Sequence, residues 1–181
     1  MNSSTQKFTR TEEEIMDFLF LHPTTEFRGR ALARELKKSA SGVIKSMRNL
    51  EKRGLIHLKE DFTLSIGLDR ENKQTFILKR IANIKFLYES GLVAYLSDAF
   101  LGSTIIVFGS YSYGEDTEDS DIDMAIIGYP EKNMNDKELI KYEKYLQRKV
   151  QLHFFKDMKN IHKNLKDNIV NGIVLEGAIK L

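Results

Sequence analysis

Read as a run of apolar and polar positions, the chain changes period several times. Thr11-Glu12-Glu13-Glu14 opens a helix, with Thr11 as its cap and Glu14 completing a capping box. Ile15, Phe18 and Leu19 mark the buried side at helical spacing, and His22-Pro23 stops the helix. A second helix is predicted over about 28–37, with Ala31, Leu32 and Leu36 inward. Ser39-Ala40-Ser41 caps a third over about 40–53, whose buried stripe is Val43, Ile44, Met47 and Leu50; Gly54 ends it. The period then falls to two. Leu64, Ile66 and Leu68 share one strand face, 74–79 reads as a second strand, and 69–73 is the hairpin loop between them. From Ile81 to about Leu101 helical spacing returns through Ile84, Leu87, Tyr88, Leu92, Leu96 and Phe100, with Gly91 as a bend. Core burial is the expected fate of that stripe, and a homodimer contact is the alternative.

The second half opens on an apolar run, Ile105-Ile106-Val107-Phe108, a short buried strand. An acidic loop leads to a second strand over 121–127, in which Ile122, Met124 and Ile126 point into a core. After a loop beginning at Gly128-Tyr129-Pro130 come a helix over about 136–148, a strand over 149–155, a helix over about 157–170 and a last apolar segment at 173–175. The order predicts an α/β (α+β) chain of two domains: three helices and a hairpin in 1–80, a connecting helix over 81–101, and in 102–181 a small mixed sheet with helices on one side.

The net charge of +2 conceals an asymmetry. Residues 1–80 carry 16 basic and 11 acidic groups, and residues 81–181 carry 12 and 15, so the halves suit different partners. With no cysteine in 181 residues, disulfides, thiolate metal sites and a cysteine nucleophile are all excluded. The four histidines lack zinc-site spacing, so no structural zinc is expected. No apolar run is long enough for a bilayer and the first residues lack a signal-peptide core; no membrane partner and a cytoplasmic location are expected.

The candidate chemistry lies in residues 109–123, which hold six acidic residues and no basic one. Asp121 and Asp123 fall on one face of a strand, about 7 Å apart by strand geometry, where they can share a hard divalent cation. The Gly109-Ser110 turn at the end of the neighbouring strand offers free amides and a hydroxyl, which suit a phosphate. Gly109-Ser110, then Gly114, then Ser120-Asp121-Ile122-Asp123-Met124 resembles the signature of the DNA polymerase β-like nucleotidyltransferases, in particular the minimal group. The resemblance covers about the last hundred residues. It implies a nucleoside triphosphate held at Gly109 and Ser110, with Mg2+ (or Mn2+) on Asp121 and Asp123 as the catalytic pair. The family's third acid sits on the strand after the intervening helix, and here the matching triplet is Val150-Gln151-Leu152. Gln151 can offer an oxygen to a metal but no charge, and it is a poor base. His153, two residues on, shares its face and is a second candidate for that place, or a structural polar residue. Glu115, Asp116 and Glu118 are further acids in the loop, expected to be solvated.

In the front half, three helices followed by a hairpin resemble a winged helix-turn-helix, with Leu50-Glu51-Lys52-Arg53-Gly54-Leu55-Ile56 at the end of the recognition helix. Residues 28–53 hold nine basic and two acidic groups. The resemblance implies double-stranded DNA as partner. Ser39, Ser41, Lys45, Arg48 and Asn49 would face the groove, Arg28, Arg30, Lys37, Lys38, Lys52 and Arg53 would lie near phosphates, and Arg70 and Lys73 would stand in the wing. The expected function is metal-dependent nucleotidyl transfer to a hydroxyl acceptor, joined to DNA binding. The alternative is a regulator whose nucleotidyltransferase-like domain senses a nucleotide.

Overall fold

The computed structural model describes residues 7–129 and 136–179. The chain divides into two compact units, Met1–Thr75 and Phe76–Leu181. In the first, helix α1 (Arg10–Leu21) leads through a two-residue strand β1 (Phe27–Arg28) to α2 (Gly29–Glu35) and α3 (Ala40–Lys52); strands β2 (Ile56–Glu60) and β3 (Leu64–Leu68) follow. The three strands form an antiparallel sheet in the order β1-β3-β2. Ile15, Leu19, Leu32, Val43, Met47, Leu50 and Ile66 are all but closed to solvent, so the helical stripes and the strand face meet in one core.

The helix starts differ in detail from the sequence reading. Thr9, not Thr11, caps α1: its hydroxyl accepts from the Glu12 amide at 3.3 Å, and the Glu12 carboxylate accepts from the Thr9 amide at 2.8 Å. Ser39 caps α3 as expected, accepting from the Gly42 amide, and Gly54 follows with φ +68°. The hairpin is displaced. Its strands are β2 and β3, joined at 61–63, whereas 74–79 lies in a helix, α4 (Lys73–Glu89). The stretch expected to be a hairpin loop starts that helix. Asp69 Oδ1 accepts from the amides of Glu71 and Asn72, and Asn72 Oδ1 accepts from the amide of Gln74 at 2.9 Å, which satisfies donors that an incipient helix leaves open.

In the second unit, α5 (Leu92–Ala99) is set off from α4 by Gly91, whose φ of +80° supplies the break. Leu87, Leu92, Leu96 and Phe100 are buried, so most of that stripe goes into a core. Strands β4 (Thr104–Phe108), β5 (Ile122–Ile127), β6 (Val150–Phe155) and β7 (Ile173–Glu176) form a mixed sheet in the order β6-β5-β4-β7. Only β5 and β6 run parallel, joined across α7 (Ile140–Leu146). The helices are not confined to one side. Ile161 and Ile169, before and within α8 (Lys163–Val170), close over Ile106, Phe108 and Ala125. On the opposite face Phe100, at the end of α5, meets Phe154 at 5.2 Å between ring centroids. Both faces of β4 and β5 are apolar, so both need cover: Ile105, Ile106, Val107, Ile122, Met124, Ala125 and Ile126 are all fully buried. Short 3-10 turns at Asp136–Glu138 and Met158–Asn160 take the first residues of the two helices expected after β5 and β6. Part of the loop expected after Tyr129 falls at 130–135, outside the described residues.

Candidate active site

Strand β4 ends and β5 begins at the same edge of the sheet, with Phe108 opposite Asp123. The chain leaves β4 through Gly109 at φ +72°, ψ −161°, a conformation side chains resist. A Cβ at that position would lie 3.3 Å from Asp123 Oδ2, a tight approach that the carboxylate would have to ease by a few tenths of an ångström. Exposed Ser110 begins a single helical turn, α6 (Ser110–Tyr113). The Ser112 hydroxyl donates to the Gly109 carbonyl at 2.8 Å, and the Glu115 amide donates to the Ser110 carbonyl at 3.0 Å, so the carbonyls of the turn are occupied.

The two carboxylates share a face, as their partners demonstrate. The Gln151 amide donates to Asp121, and His153 Nε2 lies 2.9 Å from Asp123 Oδ1. Gln151 and His153 are two residues apart on β6 and project the same way. In the strand register Asp123 stands opposite Gln151, so each β6 side chain leans to the carboxylate one pleat away. Asp123 and His153 are each about a third exposed, at 34% and 31%, open enough to meet a ligand. The Phe108 ring stands 5.4 Å from the imidazole. Gly109, Ser110, Asp121, Asp123, Gln151 and His153 are thus gathered at one sheet edge. A groove of about 650 Å3 runs beside Asp121, with Glu143, Lys144 and Lys149 among its walls.

The donor set fits a hard cation of modest coordination demand. Mg2+ is commonly held by one or two carboxylates with the remaining positions filled by water and phosphate oxygens. Among the described residues no cluster of three or more histidine, cysteine, aspartate or glutamate side chains could hold a metal by itself. A cation on Asp121 and Asp123 therefore needs oxygens from substrate or water.

Behind this edge lies a buried polar network that the sequence reading missed. Asp116, expected to be a solvated loop acid, is 1% exposed. Its Oδ1 accepts from Lys79 Nζ and from Asn83 Nδ2, the latter at 2.7 Å, and its Oδ2 lies 3.6 Å from an Arg148 guanidinium nitrogen. Asn83 Nδ2 also reaches the Tyr111 carbonyl at 2.9 Å. Burial, and then the nearby Asp116 charge, push the Tyr111 phenol far above its ordinary pKa. Lys79 and Asn83 come from α4, Tyr111 from α6, and Arg148 from just before β6. The network fixes the loop that carries Gly109 at one end and Asp121 at the other. The turn nearest Asp121 is closed locally, with the Thr117 amide donating to Ser120 Oγ at 2.9 Å. A lysine and an asparagine four residues apart on a helix were the available signal, once that segment is read as helix.

In the first unit, Ser41 and Lys45 are exposed on α3, and Ser39 is its cap. Arg48 is exposed and 3.7 Å from Glu60 of β2. Arg53 stacks over the Phe8 ring at 3.8 Å. Asn49 donates to Glu12 at 3.2 Å, tying α3 to α1. Arg70 and Lys73 are not in the hairpin turn: Arg70 follows β3 and Lys73 begins α4, because the hairpin lies one strand earlier than the period-two pattern suggested. Among the described residues no helix is long and apolar enough to cross a membrane.

No curated protein matches the chain. Among solved structures, that of a point mutant of Lactococcus lactis ZitR matches at 20% identity, covering 55% of this chain and 67% of its own, with a TM-score of 0.38. At that score the likeness bears on nothing further. The likeness with weight concerns the second unit, where residues 90–175 match the model of the nucleotidyltransferase domain family.

Proposed function

We propose that the second unit transfers a nucleoside monophosphate from a nucleoside triphosphate to a hydroxyl acceptor, and that the first unit is a winged helix that binds double-stranded DNA. One observation carries the first half: two carboxylates on one sheet face, with the Gly109 backbone held against the second of them. In this reading Asp121 and Asp123 hold Mg2+ (or Mn2+), which when bound neutralises phosphate charge and polarises the reacting phosphorus. Gly109 and Ser110 present an amide and a hydroxyl to the terminal phosphates. The groove beside Asp121 receives what lies beyond the α-phosphate, with Lys144 and Lys149 at its wall. The acceptor oxygen forms its bond to the α-phosphorus as the bond to the bridging oxygen breaks, and pyrophosphate departs with that oxygen. His153 is the basic side chain nearest the carboxylates. With Nε2 engaged by Asp123, its Nδ1 would take the acceptor proton. Most of the acceleration would then come from positioning and charge neutralisation.

The test is transfer of label from α-labelled ATP, GTP, CTP and UTP in the presence of Mg2+ and cell-derived acceptors. Asp121→Ala with Asp123→Ala should abolish it, and transfer surviving the double change would refute the assignment. A second reading has its own support. Gln151 stands where the family's third acid would and donates to Asp121, which suits a nucleotide sensor that does not turn over. Calorimetric binding of a triphosphate without pyrophosphate release would favour that reading. For the first unit, the support is the exposed Ser41, Lys45 and Arg48 along α3.

A further inference from the structure

The tip of the β2–β3 hairpin carries an unusual side chain. Phe62 is 99% exposed. Singly exposed apolar residues are common, but this one stands at the rim of a built groove. The groove has a volume of about 470 Å3 and lies between α2, α3 and the hairpin. Its floor is apolar, from Ala31, Ile44 and Leu64, and its rim carries Arg28, Arg30 and Arg34 with no acidic residue among the lining. None of these three arginines forms an ion pair among the described residues. Pairing of β1 with β3 sets Arg28 opposite Ser65, close to the hairpin turn at 61–63.

A free aromatic face beside three unneutralised guanidiniums matches one ligand chemistry closely: a flat, uncharged ring system joined to a chain of anions. A nucleic-acid base with its flanking phosphates is such a ligand. We propose that the hairpin tip engages duplex DNA at a step where a base is unstacked, with Phe62 stacking on or wedging beside that base and Arg28, Arg30 and Arg34 meeting the phosphates around it. This rests on the reading of the first unit as a DNA-binding module and adds the kind of site it selects: a kinked, bulged or otherwise deformable step. An anionic lipid surface could also meet an aromatic tip with basic neighbours. Three exposed arginines lining a groove of about 470 Å3, rather than spread over a flat face, favour the nucleic acid.

The test uses the full chain and a labelled duplex of about 24 base pairs at roughly 50 mM salt, alone and with one central unpaired base, read by fluorescence anisotropy. The bulged duplex should bind about fivefold to hundredfold tighter, the equivalent of one base–aromatic stack. Phe62→Ala should erase that preference and leave the slope of the salt dependence unchanged, since it removes no charge; Phe62→Tyr should keep the preference. Arg30→Ala with Arg34→Ala should weaken both duplexes and flatten the salt dependence. Binding with no preference for the bulge, or a preference that survives Phe62→Ala, would overturn the inference and leave DNA binding standing. If neither duplex is bound, the DNA reading falls too. Phe62-dependent sedimentation with phosphatidylserine vesicles, without any duplex preference, would assign the tip to a lipid surface and overturn it as well.

Discussion

Replacing Asp116 by alanine removes the carboxylate that Lys79, Asn83 and Arg148 share in their buried group. Lys79 is 2% exposed and Asp116 1%, so water cannot take over the lost contacts without opening the loop. Removing one partner of a buried ion pair costs about 3–5 kcal/mol, because the remaining charge stays in a poor solvent. A pair of similar geometry on the surface would cost about 1 kcal/mol or less. The two figures are far enough apart to decide which description is right, and the larger is a sizeable part of a typical domain stability of about 5–15 kcal/mol. The assay is urea unfolding followed by hydrogen exchange of peptides spanning β4 and β5, so that the second unit is read separately from the first. Asp116→Ala should lower its stability by the larger amount and speed exchange through 111–120. Lys79→Met, Asp116→Leu and Arg148→Met together should lose far less, since well-packed apolar replacements of a buried ionic group are often neutral. A loss below about 1 kcal/mol for the single change, or a triple variant as damaged as the single, would refute the account of Asp116 as a buried clamp.

Two more outcomes follow from geometry. Gly114→Ala places a Cβ 2.5 Å from the Phe76 carbonyl oxygen and 2.7 Å from the Arg80 nitrogen, at φ +76°, so the backbone of α4 has to move; thermal unfolding should report a loss of roughly 2 kcal/mol or more. Gly102→Ala, at φ +80° with nothing within 4 Å, is the control and should lose only the backbone contribution of about 1 kcal/mol. In the first unit a hydrogen bond from Lys38 holds the Glu14 carboxyl below its ordinary pKa. A depressed carboxylate contributes stability that is present above the unfolded value and lost as pH falls through the folded one. Lys38→Met should therefore flatten the urea midpoint between about pH 6 and pH 3 and leave the acid end unchanged.

The candidate site was legible for a local reason. Asp121 and Asp123 lie in a period-two segment whose other face is unbroken apolar, and the strand before them ends in a glycine, so face and edge could both be read from spacing. The hairpin was not legible in the same way. Ile56–Glu60 alternates over too few apolar positions to announce a strand and ends in Lys59-Glu60. Gln74–Lys79 alternates by accident and reveals itself as helix only through Lys79 and Asn83, and through Ala82 and Phe86, at spacings of four. Helices on a single face failed as an expectation because β4 and β5 are apolar on both sides, a property of the strands that demanded a second cover. Asp116 could not be found at all from its surroundings in the chain. Its partners are 37 and 33 residues away, and nothing periodic links a loop acid to them.

Strands β4 and β5 occupy the two inner places of their sheet, flanked by β7 and β6. Neither can peel away at an edge, so exposing the ends that bear Gly109 and Asp123 means tearing a ladder on both sides at once. The ladder amides of β4 and β5 should therefore exchange only when the entire unit opens, and the spacing between turn and carboxylates should be as durable as the unit itself. Whatever adjusts to a ligand here has to be the outer β6 side chains or the walls of the groove, leaving the corner as a fixed anvil against which they close.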